Sequence, residues 1–185
     1  MGKIKLWTKQ HINILDTLEK HGRHIVKREY IEEKMEDIAH FYLDVYHWYS
    51  STASKLVSKP QDVQYPIWVS LSESSVLDND PETVLLELEV DHSKVIEVDY
   101  DKWGYIVNYM YIPYSAEDEK DHQKLLDDYG IDDPHAYMSN FYPSIKKKII
   151  KSWDRLFDNA CGKENEVRMG TIWEIRSEWI SKIIR

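Results

Sequence analysis

Thr83-Val-Leu-Leu-Glu-Leu-Glu-Val90 is the stretch on which the fold turns. Val84, Leu86, Leu88 and Val90 recur at every second position, the period of a strand with one face in a core. Asp91-His-Ser reads as a turn into another strand, Val95 to Val98, which predicts a hairpin-like pair. Upstream, Ile67, Val69 and Leu71 alternate with Trp68, Ser70 and Ser72. At the start of the chain, Ile4 and Leu6 alternate with Lys3, Lys5 and Trp7, a short strand ending at Thr8. A late strand is predicted from Arg168 to Ile175.

Helices fill the intervals. Ile12, Leu15 and Leu18 keep helical spacing, and Gly22 follows as the residue that closes the helix. A longer helix is predicted from Tyr30, with Ile31, Met35, Ile38, Phe41, Tyr42, Val45 and Tyr49 as its apolar stripe. Its pattern extends to Leu56 and Val57, and Pro60 must end it. Further helices are predicted over Ser115 to Asp128 and Tyr142 to Phe157. A short C-terminal one carries Trp179, Ile180, Ile183 and Ile184. Strands at the start, middle and end, with no βαβ repeat, predict an α+β protein. The expected architecture is one domain over 1–185, a small mixed sheet, curved or split, flanked by helices.

Composition narrows the classes. The 185 residues are 42% hydrophobic and 31% charged, an ordinary globular balance. One cysteine excludes a disulfide framework, a Cys-based zinc site and an iron–sulfur cluster. The 7 Trp and 13 Tyr against 3 Phe favour aromatics with a polar handle, which line wet pockets and interfaces as well as cores. Net charge is −9, against broad nonspecific nucleic-acid binding. The charge is uneven: residues 137–185 carry 10 Lys+Arg against 6 Asp+Glu. No apolar run approaches the length of a membrane span, and the first residues lack the apolar segment of a signal peptide. The expected location is the cytoplasm, with no membrane contact.

Recognised chemical motifs are scarce. There is no glycine-rich phosphate loop, no His-Glu-x-x-His and no Gly-x-Ser-x-Gly. Cys161 has no histidine assigned to it by spacing and reads as an incidental thiol. Asp37, His40, Asp44 and His47 form a stripe on the long predicted helix. It lies well away from the apolar face, so a solvated surface is expected and no metal site. Lys146, Lys147, Lys148, Lys151 and Arg155 alternate with Ile145, Ile149, Ile150, Trp153 and Leu156. An amphipathic helix with outward lysines explains this, and phosphate or nucleic-acid contact through Lys146, Lys147 and Lys148 is the competing reading. The acidic run Glu117–Asp121 with Asp127 and Asp128 reads as solvated surface.

Trp68, Ser70 and Ser72 form one row if Ile67, Val69 and Leu71 face the core. An aromatic platform beside two hydroxyls suits stacking on a flat ring while bonding its polar edge. A tryptophan covered by a neighbouring helix is the plainer explanation.

Several stretches carry a resemblance. Leu6-Trp-Thr-Lys-Gln10, Tyr65-Pro-Ile-Trp-Val-Ser70, Val84-Leu-Leu-Glu-Leu-Glu-Val90 running on to Asp99 and Trp103, and Thr171-Ile-Trp-Glu-Ile175 resemble an uncharacterised bacterial domain-of-unknown-function family across essentially the whole chain. More loosely, Leu6-Trp-Thr-x-x-His-Ile-x-x-Leu-x-x-Leu-x-x-His-Gly22 resembles the opening strand, helix and glycine of ADP-ribosyltransferase-like domains. Val84 to Val98 is similar to their middle strands, and the strand from Arg168 falls where they carry a catalytic glutamate. The chain departs from that pattern twice. Thr8 stands where a His or Arg is usual, and Met169-Gly-Thr171 where the glutamate is usual. Glu174, or Glu178, is the nearest carboxylate.

That resemblance implies NAD or a related nucleotide as ligand, in a site either active or degenerate. Glu174 would be the catalytic carboxylate, Thr8 and Gln10 would contact ribose or phosphate, and Tyr65, Trp68 and Ser70 would line the ring pocket. The plainer face of Glu174 is a solvent-side carboxylate at a strand edge. The competing function is a non-enzymatic module binding protein or nucleic acid through an aromatic surface and the basic C-terminal helix.

Overall fold

The computed structural model describes residues 2–73, 81–158 and 168–184. It divides into two compact units, the first comprising Met1–Glu97 with Arg168–Arg185 and the second Val98–Val167. The chain is α+β, with a six-stranded sheet in the order β5-β6-β3-β1-β4-β8. These strands are β1 (Lys3–His11), β3 (Ile67–Ser70), β4 (Thr83–Asp91), β5 (Ile96–Asp99), β6 (Arg168–Ile172) and β8 (Ile180–Ile184). A separate two-stranded ribbon pairs β2 (Arg23–His24) with β7 (Ile175–Arg176). Among the described residues, no helix is long and apolar enough to cross a membrane.

In the first unit, β4 buries its whole even-numbered row, as its period requires: Val84, Leu86, Leu88 and Val90 are inaccessible. Its partner differs from expectation. β4 does not form a hairpin with the next strand. It lies antiparallel to β1 over nine residues, Lys3 opposite Asp91 through His11 opposite Thr83, and β8 pairs its other edge. Both edges of β4 are thus taken by strands distant in sequence. The Asp91 carboxylate accepts the Ser93 N–H at 2.9 Å, capping a 3₁₀ turn at His92–Lys94 that carries β5 to the far side of the sheet.

Two further expectations are corrected. The C-terminal segment is a strand, not a helix. Five residues are too few to repay a helix nucleus, and an isoleucine-rich stretch beside an open strand edge gains a ladder instead. The long helix beginning near Tyr30 is also broken. It forms α2 (Arg28–Met35), a 3₁₀ turn at Glu36–Ile38 and α3 (Ala39–Ala53). Glu36 has φ +47°, a conformation that interrupts the helix. In an unbroken rod Ile31 and Leu43 would stand about 18 Å apart along the axis. The break lets both pack on Tyr65.

α1 (Ile14–His21) ends as its glycine predicts: Gly22 is left-handed, φ +66°, and donates its N–H to the Leu18 carbonyl at 2.8 Å. Ile14 and Leu18 join Leu6, Ile67, Val69, Leu86, Leu88 and Ile172 in one core. On the opposite sheet face, Tyr49 of α3 reaches Thr171 of β6.

The second unit is helical. It holds α4 (Tyr100–Val107), α5 (Ala116–Tyr129), α6 (Asp133–Met138) and α7 (Pro143–Ser152), followed by a 3₁₀ segment at Trp153–Phe157. Trp153 is fully buried and donates its indole N–H to the Met110 carbonyl at 2.8 Å. Tyr137 stacks on Trp153 and on Tyr109. Cys161 lies outside the described residues.

Candidate functional site

The residues singled out from the sequence are spread over both faces of the sheet. On β1, Thr8 and Gln10 share the face of Leu6, because side chains alternate along a strand. Trp7 is opposite Ser70, so Ser70 and Trp68 lie with Trp7 on the other face. That Cα pair sets the β1–β3 register. Beyond it the strands are tied by a side chain: the Thr8 hydroxyl donates to the Trp68 carbonyl at 2.9 Å, and Gln10 Nε2 donates to Thr8 Oγ1 at 2.8 Å. The structure therefore brings Thr8 and Gln10 together beside the Trp68 carbonyl.

Trp68 is half-buried, its ring 5.7 Å from that of Tyr49. Ser70 is buried; its hydroxyl donates to the Ser72 carbonyl at 2.5 Å and accepts the Ser72 N–H at 3.1 Å, closing a local turn. Tyr65 is buried with Ile31 and Leu43, its ring 6.3 Å from Tyr46 and 6.1 Å from His47. It belongs to a cluster separate from Thr8 and Gln10.

Glu174 follows β6, where the predicted late strand is interrupted before β7. The carboxylate is not on a solvent face: the residue is 6% exposed. One oxygen accepts from Arg23 Nε and the other from Arg176 Nε at 2.7 Å. Arg23 and Arg176 are cross-strand neighbours on the β2–β7 ribbon. Arg23 also grips Asp62 with both terminal nitrogens, at 2.6 and 3.2 Å. Glu174 thus neutralises two guanidiniums that the ribbon sets side by side. Arg23, which completes this arrangement, has no signal in the sequence; only the pairing of β2 with β7 places it there.

His24, next to Arg23, is buried, and its Nδ1 has no hydrogen-bond partner among the described residues. Burial, reinforced by the charge of Lys27, pushes its pKa down to about 4.

A family model for a domain of unknown function, DUF3841, matches residues 5–181. The chain belongs to the DUF3841 family. No curated protein and no solved structure matches it. None of these comparisons links this DUF3841 chain to ADP-ribosyltransferases.

The second unit of the DUF3841 chain carries a polar network that the sequence pattern did not reveal. His122 Nε2 lies 2.6 Å from Asp133 Oδ1, and both residues are buried. The other Asp133 oxygen accepts the Tyr111 N–H at 2.9 Å, while the Tyr111 ring stacks on His122 with centroids 4.0 Å apart. The Tyr111 hydroxyl donates to Asp118, which also accepts from Arg155 at 3.0 Å and from the Tyr114 N–H at 2.7 Å. These donors outweigh burial and hold the Asp118 carboxyl below its usual pKa. Asp118 is therefore a structural anchor, unlike the solvated carboxylates around it.

The basic helix is partly absorbed in the same way. Ile145 and Ile149 are buried, Lys146 Nζ stands 4.2 Å from the Tyr137 ring centroid, and Lys148 Nζ 4.9 Å from that of Tyr111. Lys147 and Lys151 point to solvent. So do the four residues of the Asp37–His47 stripe, and no cluster suited to a metal ion occurs among the described residues.

Apolar side chains are conspicuous at the junction of α6 and α7. Phe141 is 88% exposed and Met138 60%. Tyr142, beside Phe141, meets Tyr129 edge-on at 5.8 Å and His135 at 5.9 Å. An open groove of about 430 Å³ adjoins these rings, lined by Asp127, Gly130, Ile131, Asp132 and His135.

Proposed function

We propose that this chain is a non-enzymatic interaction module whose contact surface is the α6–α7 corner of its second unit. One observation carries the reading: Phe141 presents nearly its whole ring to water, with Met138 and the Tyr129–Tyr142 pair beside it. Scattered apolar exposure needs no explanation, but aromatic and methionine side chains gathered at one corner mark a binding surface. The polar groups of the first unit point the same way. Glu174 spends both oxygens on arginines, and Ser70 spends its hydroxyl on its own turn.

The test is a photoreactive amino acid at position 141, irradiated in the living host. A discrete adduct, absent when the probe replaces solvent-facing Lys34 in the first unit, is the expected result. Absence of any adduct at 141 would refute the reading.

A second reading, binding of NAD or a related nucleotide in an ADP-ribosyltransferase-like site, is favoured by one feature. Thr8 and Gln10, the two residues expected at ribose or phosphate, form a hydrogen-bonded pair. Isothermal titration decides it. Heat of binding with NAD, reduced in Thr8→Ala and Glu174→Gln, would establish it, and no heat at millimolar ligand ends it.

A further inference from the structure

The corner around Phe141 is flanked in the chain by charge of opposite sign on its two sides. From Leu125 to Ser144 there are four aspartates and no lysine or arginine. Three of them, Asp127, Asp128 and Asp132, are exposed and make no ion pair among the described residues; Asp133 is the buried partner of His122. Immediately after the corner comes α7, whose Lys147 and Lys151 face solvent with no ion pair among the described residues. Along the chain, an apolar centre thus stands between an acidic stretch and a basic helix face.

Such a patch is self-complementary. In an isologous contact about a two-fold axis, residue i of one copy meets residue j of the other, and j meets i. A two-fold near Phe141 sets the aspartates of each copy against the lysines of its partner and leaves the apolar side chains in the middle. We infer that this corner docks a second copy of the same chain. This rests on the reading of the corner as a contact surface and names its occupant.

The electrostatics agree. Asp127 and Asp128 lie in the last turn of α5, where the helix dipole is negative, so they attract cations beyond their formal charge. The Asp132 carboxylate caps α6 by accepting the His135 N–H at 2.8 Å and makes no ion pair among the described residues. Across the interface, opposed charges set the register and orientation of the pair, while Phe141 and Met138 supply the area removed from water.

Sedimentation velocity on the full chain tests the inference with charge-reversed variants. Wild type is expected to show a monomer–dimer equilibrium that weakens with salt. Phe141→Asp is expected to be monomeric with an unchanged thermal midpoint. Asp127→Lys with Asp128→Lys, and separately Lys147→Glu with Lys151→Glu, should each weaken self-association at least tenfold. An equimolar mixture of these two variants should dimerise again, because a mixed pair restores both sets of opposed charges. A wild type that stays monomeric to millimolar concentration overturns the inference, as does a dimer that survives Phe141→Asp or a mixture that fails to associate. The position-141 adduct separates the two levels. An adduct of twice the chain mass agrees with the dimer, one of another mass overturns it and keeps the contact surface, and none removes both.

Discussion

The phenol of Tyr49 and the hydroxyl of Thr171 meet 2.6 Å apart in a fully buried position between α3 and β6. Burial raises the Tyr49 pKa far above its usual value, so the phenol stays protonated and the pair is a neutral hydrogen bond. Tyr49→Phe removes this bond from the Thr171 hydroxyl, and Thr171→Val removes it from the phenol. Each should cost about 1–3 kcal/mol, since the penalty is that of an unsatisfied buried group. The double substitution should cost clearly less than the sum. Urea melts of the four proteins measure this, and simple additivity would show that the two groups do not depend on each other.

Glu174 predicts a ranking of stabilities. Glu174→Ala leaves two adjacent guanidiniums without their shared counter-charge. Both arginines keep some solvent, so the loss should be about 2 kcal/mol, below that of a fully buried broken pair. Glu174→Gln should fall between this and wild type, because an amide oxygen still accepts one bond. Asp62→Asn, at the exposed end of the network, should change far less. An Asp62 effect as large as that of Glu174 would mean that the buried carboxylate is not the keystone.

His24 predicts an acid limb. Its pKa is about 4 when folded and near 6.5 when unfolded, so between these values the unfolded chain binds the additional proton. Stability from this group is complete above pH 6.5 and declines as pH falls toward 4, by on the order of 3 kcal/mol in total. His24→Phe keeps a ring beside Tyr30 and removes the titration. Its stability should be flatter over pH 4–6.5 than that of wild type. An unchanged slope would place the acid sensitivity in other groups.

Gly170 predicts a steric effect. A Cβ built there lies 3.1 Å from Val95 Cγ1, 3.3 Å from Val69 Cγ2 and 3.4 Å from the Ile96 carbonyl. Alanine normally improves a strand glycine, but here the neighbours are stiff, β-branched side chains. Gly170→Ala should therefore destabilise by about 1–2 kcal/mol, the usual scale of overpacking. Val95→Ala should relieve part of that loss, and thermal melts of the pair would reveal it.

The strands were legible wherever a period of two was enough. β4 buries Val84, Leu86, Leu88 and Val90 as its pattern requires, and Gly22 ends α1 as its type requires. Partner choice was not legible. Nothing local says that residues 83–91 prefer residues 3–11 to residues 95–98, because the decision rests on nine matched pairs across a long loop. The candidate site suffered from the same gap. The resemblance assigned Thr8, Gln10, Trp68 and Ser70 to one cleft, yet the register Trp7 opposite Ser70 sends Trp68 and Ser70 to one face and Thr8 and Gln10 to the other. Ile180-Ser-Lys-Ile-Ile184 fits a helical and an extended pattern equally well, and only the free edge of β4 decides between them.

β1, which precedes every other strand of this sheet in sequence, lies inside the sheet, between β3 and β4. A nascent chain must therefore keep Leu6 and its neighbours waiting until Asp91 has been synthesised, and the sheet is completed only when β6 and β8 arrive from the C-terminal segment. Pairings this far apart in sequence slow folding and prolong the exposure of apolar strands. For this chain, translation speed and chaperone supply become determinants of yield. Slower growth at lower temperature should raise the soluble fraction more than any single surface substitution.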